Sequence, residues 1–394
     1  MKVVQINSTC GVGSTGKICL AVSKLLCRES IENYIFYTLD KSSYERARRY
    51  SSRLYTKSQA LRSRVLGNNG FNSRSASRRL VRELEKIGPD IVHLHNIHSH
   101  DCDLGILLGF LREKKIKVYW TFHDCWCFTA YCHYFTLSGC EKWREGCKDC
   151  QRYREYSWFS DRSERLYALK KELLSGLDLT VITPSVWLAD LVKESFLAAT
   201  PVKVINNGID LSVFKPTDSD IKSELGCEGK KLLLGVAFGW DRRKGIDVFL
   251  ELARRLDDSY KIVLVGTDKK VDKLLPKNII SIHRTKDQTE LAKLYSAADL
   301  FVNPTREENY PTVNMEAIAC GTPVLTFDTG GSAEIIDEKT GATVPSGDID
   351  ALEREIHRII DERPFAEADC VERAKSFDMN QRFKEYVELY TEDA

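Results

Sequence analysis

Two doubly wound, Rossmann-like α/β domains facing a central crevice are predicted for this chain by three observations. Short runs of β-branched and aromatic residues alternate with apolar-periodic segments, this alternation occurs twice, and 394 residues exceed what one hydrophobic core usually supports.

The first strand is KVVQIN, followed by the glycine-rich STCGVGSTGKI and a helical segment through Leu26. YIFYTL, DIVHLH, KVYWTFH and LTVITP continue the first half, each bounded by turn formers. KLLLGVA, YKIVLVG, IISIHR, DLFVNP and PVLTF repeat the theme in the second. Between the halves, VKVINNGIDLSVFKP carries the turn Asn206-Asn207-Gly208 and ends at Pro216, as a linker would. The expected domains are therefore 1–210 and 211–376, with the amphipathic segment 377–394 returning to the first.

Apolar content of 43% is ordinary for a globular protein, and the net charge of +1 excludes little. It conceals a local imbalance, because Arg46 to Arg82 holds eleven Arg or Lys and no Asp or Glu. Such a stretch suits a membrane surface, an anionic lipid or a polyphosphate, or else is a solvated basic helix; no nucleic-acid module accompanies it. The thirteen cysteines are an odd number, no secretory segment precedes MKVVQIN, and no apolar run is long enough to span a membrane. The expected location is the cytoplasm, at the inner face of the plasma membrane, where thiols stay reduced.

The loop Gly11-Val12-Gly13-Ser14-Thr15-Gly16-Lys17-Ile18 nearly matches a P-loop but lacks the hydroxyl that binds magnesium after the lysine. A glycine-rich lip at the carboxyl end of the first strand fits better. In the second half, Arg242, Arg243 and Lys244 lie between a strand and a helix, where cations can neutralise a leaving diphosphate. The segment EENYPTVNMEAIACGTPV places Glu308 and Glu316 around the start of a helix whose free N–H groups suit a phosphate. Carboxylates so spaced can grip sugar hydroxyls at both ends of one ligand, or belong to a solvated amphipathic helix.

His93, His95, His98 and His100 crowd the end of DIVHLH, but alternation pairs only the first two, and no acidic partner with ligand-like spacing lies nearby. His123 ends KVYWTFH beside Asp124, as a sugar contact or a satisfied core histidine. Cys132, Cys140, Cys147 and Cys150 share one long irregular segment and are candidates for a structural zinc or for buried reduced thiols, with Cys125 and Cys127 as spares.

These residues resemble the retaining glycosyltransferases of family four, which have the GT-B fold. The resemblance covers nearly the whole chain and rests on Glu308 to Glu316 with AIACGTPV and GG, on RKG at Arg243 to Gly245, on VINNGID, and on LAKLYSAADLFVNPT. The segment HDCWCFTAYCHYF is similar to a bacterial branch that builds capsule, exopolysaccharide and O-antigen. The resemblance implies transfer of a hexose from a nucleoside diphosphate sugar to a lipid-linked saccharide, with retention and without a catalytic metal. It assigns the donor sugar to Glu308 and His123, the ribose to Glu316, and the diphosphate to Arg243 and Lys244. Backbone N–H groups of Tyr310, Thr312 and Val313 join that phosphate site, Asn309 belongs to the same turn, Gly13 and Ser14 close over the phosphates, and Arg284, within His283 to Thr285, lies near the base. The chain departs from the pattern at Gly239, where many members have arginine, and at Asn309-Tyr310-Pro311, where the family often has Gly-Phe-Gly. A GT-B-like epimerase or phosphorylase, and a non-catalytic sugar or polyphosphate binding module, are the competing readings.

Overall fold

The computed structural model describes residues 1–98 and 100–392, which form two compact units: Met1–Asn206 with the chain from Arg382, and Asn207–Gln381. The helix Met379–Glu392 carries the chain back into the first unit; Asp393 and Ala394 of the predicted segment 377–394 lie outside the described residues.

Unit 1 holds β1 (Lys2–Ile6), β2 (Glu32–Tyr37), β3 (Ala47–Arg49), β4 (Ile91–Leu94), β5 (Lys117–Thr121), β6 (Leu179–Thr183) and β7 (Val202–Val204), all parallel, in the order β3-β2-β1-β4-β5-β6-β7. Register sets Val4 beside Val92 and Val92 beside Val118, so one face of the sheet is a continuous apolar layer. The next residue along each strand turns to the other face, which places Gln5, His93 and Tyr119 in a second, polar row that is equally buried. The return helix pairs the two aromatic members of this row: Tyr390 Oη meets His93 Nδ1, and Tyr119 Oη donates to the Leu389 carbonyl at 3.2 Å, while Gln5 Nε2 donates to the Cys19 carbonyl at 3.0 Å. Thr121 Oγ1 completes the set at 2.8 Å from His93 Nε2. Buried polar groups so paired avoid the desolvation penalty that would otherwise oppose folding.

Unit 2 holds β8 (Lys231–Val236), β9 (Tyr260–Val265), β10 (Ile279–Ile282), β11 (Leu300–Asn303), β12 (Val324–Asp328) and β13 (Gly341–Pro345), parallel in the order β10-β9-β8-β11-β12-β13. Both of its faces are apolar. Leu232, Leu234 and Val263 pack on one side, and Leu233, Ile262 and Leu264 on the other. This explains why its strands read as unbroken apolar runs, as expected when helices cover both faces of a parallel sheet.

Sequence periodicity missed β3, β7 and β13. The first two are three-residue edge strands with little burial, and β7 lies inside the stretch expected to be a linker. β13 begins with glycine and ends with proline, both of which argue against a strand.

In both sheets the strand order reverses once, between β1 and β4 in unit 1 and between β8 and β11 in unit 2. Connections leaving the carboxyl ends of those strands go to opposite faces, which opens the crevice where ligands bind in open α/β sheets.

Candidate functional site

The reversal point of unit 2 is built from the loops after β8 and β11, which are packed backbone to backbone. Gly245, at φ +80°, opens the helix Ile246–Arg255, and a Cβ there would come within 2.4 Å of the Pro304 carbonyl oxygen. Only glycine allows that approach. Arg306 fastens the same two loops, its N–H donating to the Arg243 carbonyl at 2.8 Å and its guanidinium making two 2.8 Å bonds to the Asp247 carboxylate. Asp241 Oδ1 accepts the Lys244 N–H at 2.8 Å and shapes the basic turn. The result is a direct ion pair between Lys244 Nζ and Glu308 Oε2, with side chains 19% and 18% exposed.

Glu308 is held by its backbone as well. Gly331 donates its N–H to the Asn309 carbonyl at 2.7 Å, while a Cβ on Gly330 would lie 1.7 Å from the Glu308 carbonyl oxygen. After the buried Asn309 and Tyr310, Pro311 caps the helix Thr312–Ala319 without a side-chain hydrogen bond. The N–H groups of Thr312 and Val313 have no acceptor within the helix, whose positive dipole end starts four residues after Glu308. One turn further, Glu316 Oε2 accepts from Tyr295 Oη at 3.1 Å. Burial, with the Glu316 charge beside it, pushes the Tyr295 hydroxyl well up, so it stays a donor.

Arg243, Lys244, Glu308, Asn309, Tyr310, Thr312, Val313 and Glu316 thus gather around one reversal point. Arg284 does not join them closely: it is exposed past the end of β10, two strands from β8, beside His283, whose Nε2 lies 2.7 Å from Asp272 Oδ2.

In unit 1, Gly13 and Ser14 are the exposed first residues of the helix Gly13–Arg28, and Gly13 has φ +69° with open space around it. His123 follows β5, its Nε2 3.2 Å from His95 Nδ1 and the two rings stacked. Burial, against the pull of Asp124, lowers His123 to about 4, leaving it neutral at pH 7. The expectation that the strand-end histidines lack an acidic partner is corrected. Asp124 Oδ2 lies 3.1 Å from His98 Nε2 and 3.0 Å from His133 Nδ1. Linear spacing hid this, because β4 and β5 are neighbours in the sheet although far apart in the chain. Burial alone would raise the Asp124 carboxyl, but the two imidazoles hold it well below the ordinary range.

Cys132, Cys140, Cys147 and Cys150 line one cavity of about 250 Å³. Among the described residues no three of these sulfurs come within 4.8 Å of one another. Burial pushes Cys132 up to about 12 and Cys147 up to about 11.

Residues 18–213 match the Glycosyltransferase Family 4 model, and residues 218–377 match the model of Glycosyl transferases group 1. The "Putative colanic acid biosynthesis glycosyl transferase WcaC" of Escherichia coli K12 is 24% identical over 99% of both chains. A sulfoquinovosyl transferase of Arabidopsis thaliana is 23% identical over 76% of this chain and 57% of its own length. Among solved structures, sucrose-phosphate synthase from Thermosynechococcus elongatus superposes with a TM-score of 0.73 at 19% identity, over 99% of this chain and 98% of that one. Anabaena Alr3699/HepE in complex with UDP-glucose gives 0.70 at 15% identity, over the full length of both. Two Rossmann-like units, each matched by its own family model, and solved structures of the GT-B fold that align over nearly the whole chain make this protein a glycosyltransferase of the group 1 and family 4 type.

Proposed function

We propose that the protein is a retaining hexosyltransferase that uses a nucleoside diphosphate sugar and extends a lipid-linked saccharide of a surface polysaccharide. The observation that carries this reading is the Lys244–Glu308 pair beside the uncapped start of the helix Thr312–Ala319. Lys244, Arg243 and the N–H groups of Tyr310, Thr312 and Val313 stabilise the departing diphosphate, as cations and a helix N-terminus do. Glu308 accepts hydroxyls of the donor sugar, Glu316 those of the ribose, and Asn309-Tyr310-Pro311 shapes the sugar pocket. His123, neutral at working pH, is a hydrogen-bonding contact for the sugar rather than a charge. Gly13 and Ser14 approach the phosphates, and Arg284 the base. The leaving diphosphate assists the incoming hydroxyl on the same face of the sugar, so that no metal enters the transfer. A structural zinc on Cys132, Cys140, Cys147 and Cys150 belongs to the same reading, since four thiols already border one cavity and a four-thiolate set is a zinc pattern.

UDP-glucose in the HepE complex and the colanic acid assignment of the WcaC relative support a nucleotide-sugar donor and an exopolysaccharide product. The helix Arg53–Leu66 supports a membrane-side acceptor, because its polarity is inverted. Thr56, Gln59 and Ser63 face inward, while Leu54 and Leu61, 82% and 56% exposed, face outward among Lys57, Arg62 and Arg64. The N–H of Trp158 donates to the Arg64 carbonyl at 2.7 Å, which sets two further exposed aromatics, Trp158 and Phe159, at the end of this helix. An apolar ridge flanked by cations is the form that lies in an anionic bilayer surface. Among the described residues no helix is long and apolar enough to cross a membrane.

The reading is tested by offering a panel of sugar nucleotides with lipid-linked acceptors and determining the new linkage by NMR. Retention of the donor's anomeric configuration is expected. An inverted linkage, or tight donor binding with neither transfer nor hydrolysis, refutes it.

A further inference from the structure

We propose that His98, Asp124 and His133 form a site for one divalent cation of the zinc class, separate from the four-cysteine cavity and outside the transfer chemistry. Three chain segments converge there. β4 and β5 pair in parallel, so the turn holding His98 and the residues after Thr121 emerge side by side. The chain then folds back, the Cys125 N–H donating to the His133 carbonyl at 2.9 Å, and this returns His133 to Asp124. The Trp126 N–H binds Asp124 Oδ1 at 2.9 Å, which fixes the carboxylate and leaves Oδ2 toward the two rings.

The three ligand atoms, His98 Nε2, His133 Nδ1 and Asp124 Oδ2, all lie within 4.8 Å of one another. An ion bound at about 2.1 Å by each would space tetrahedral ligands at roughly 3.4 Å. The observed contacts of 3.1 and 3.0 Å to Oδ2 need only small movements to reach that spacing. His133 Nδ1 is hydrogen-bonded to Asp124 Oδ2 at 3.0 Å, whereas His98 Nε2, buried 3.1 Å from the same oxygen, has no hydrogen-bond partner of acceptable geometry, as suits a lone pair directed at a shared point. Trp126, whose ring centroid is 5.4 Å from that of His98, walls one side. His133 is 39% exposed and gives the ion an entry path and room for water as remaining ligand.

Two imidazoles and one carboxylate select zinc, iron, cobalt or nickel over magnesium, which prefers oxygen throughout. Binding through Nδ1 requires the His133 tautomer that carries its proton on Nε2. The ion pins the loop that follows His123, a positioning role that does not depend on the transferase reading.

The test is titration of the full reduced chain with Zn²⁺, and with Co²⁺ as a spectroscopic probe, in wild type, His98→Gln, His133→Gln and Cys132→Ser/Cys147→Ser. The expected result is an ion kept in Cys132→Ser/Cys147→Ser, whose cobalt form in that variant shows d–d bands without thiolate charge transfer. Its affinity falls at least about tenfold in each histidine variant and is kept in the cysteine variant. Because His133 lies at the surface, its variant should melt as wild type does without metal. Absence of saturable binding, binding unchanged in both histidine variants, or loss of the ion in the cysteine variant alone overturns the proposal.

Discussion

Lys244 and Glu308, sixty-four residues apart in the chain, form an ion pair across the point where the strand order of unit 2 reverses. In the proposed reaction the cation meets phosphate and the carboxylate meets hydroxyls of one sugar nucleotide, and in the structure the two charges neutralise one another. Glu308→Ala and Lys244→Ala are each expected to lower kcat/KM at least about a hundredfold, the scale of removing one preorganised charge from a transition state. The double variant should be little worse than the poorer single one, because both residues serve the same bound ligand. Steady-state kinetics of the four proteins form the check; additive losses would separate the roles.

The backbone behind this pair is as constrained as the pair itself. Gly330 has φ +56°, and any side chain there would strike the Glu308 carbonyl. Gly330→Ala should therefore shift the 308–309 segment and cut turnover at least about tenfold, at a stability cost of about 1–3 kcal/mol. Thermal melts and kinetics on the same preparation separate the two effects. Wild-type turnover in this variant would show that the Glu308 backbone need not be fixed.

Which parts were readable in advance follows from how local each signal is. The repeated strand–helix alternation was legible because a parallel sheet covered on both faces needs apolar strands such as KLLLGVA and YKIVLVG. Lys244 and Glu308 could be singled out because each sits in a short loop with turn residues of its own. Contacts across elements left no such trace. Tyr295 reaches Glu316 over 21 residues and Arg306 reaches Asp247 over 59, and neither pair has a spacing rule. His98, Asp124 and His133 escaped for the same reason. The eleven basic residues from Arg46 to Arg82 were visible as composition, but only packing shows that Leu54 and Leu61 point outward while Gln59 and Ser63 point in.

That inverted helix makes a definite prediction for vesicles. The wild-type chain should float with liposomes containing anionic lipid at low salt and be released as ionic strength rises, since each Lys or Arg near such a surface contributes about 1 kcal/mol. Leu54→Ser/Leu61→Ser should weaken flotation at least about tenfold with only a small change in the thermal midpoint, because the leucines are 82% and 56% exposed in the isolated protein. Equal flotation of the variant, or none by wild type, would remove the helix Arg53–Leu66 from consideration as a membrane contact.

Acid should destabilise unit 1 through its buried histidine row. His93 is lowered to about 3 by burial, with His123 adding to the effect, and His95 is held well below the ordinary value for the same reason and by His93. Both are neutral in the fold, whereas in the unfolded chain they protonate near pH 6.5. Above that pH neither state binds the proton, and their contribution to the pH dependence vanishes. As pH falls below it, the unfolded state gains protons that the native state refuses, so stability decreases down to the native pKa. From pH 6.5 to 5 His93 should cost about 2 kcal/mol, and His95 adds to this in the same direction. His123, lowered to about 4, adds to the same dependence; His93→Gln removes one of these protons, and the slope of unfolding free energy against pH in this range should fall by about one proton. Urea unfolding at pH 7.5, 6 and 5 measures that slope. A variant that keeps the wild-type slope would mean that His93 is already accessible to protons in the native state, and that its bonds to Tyr390 and Thr121 do not hold it neutral.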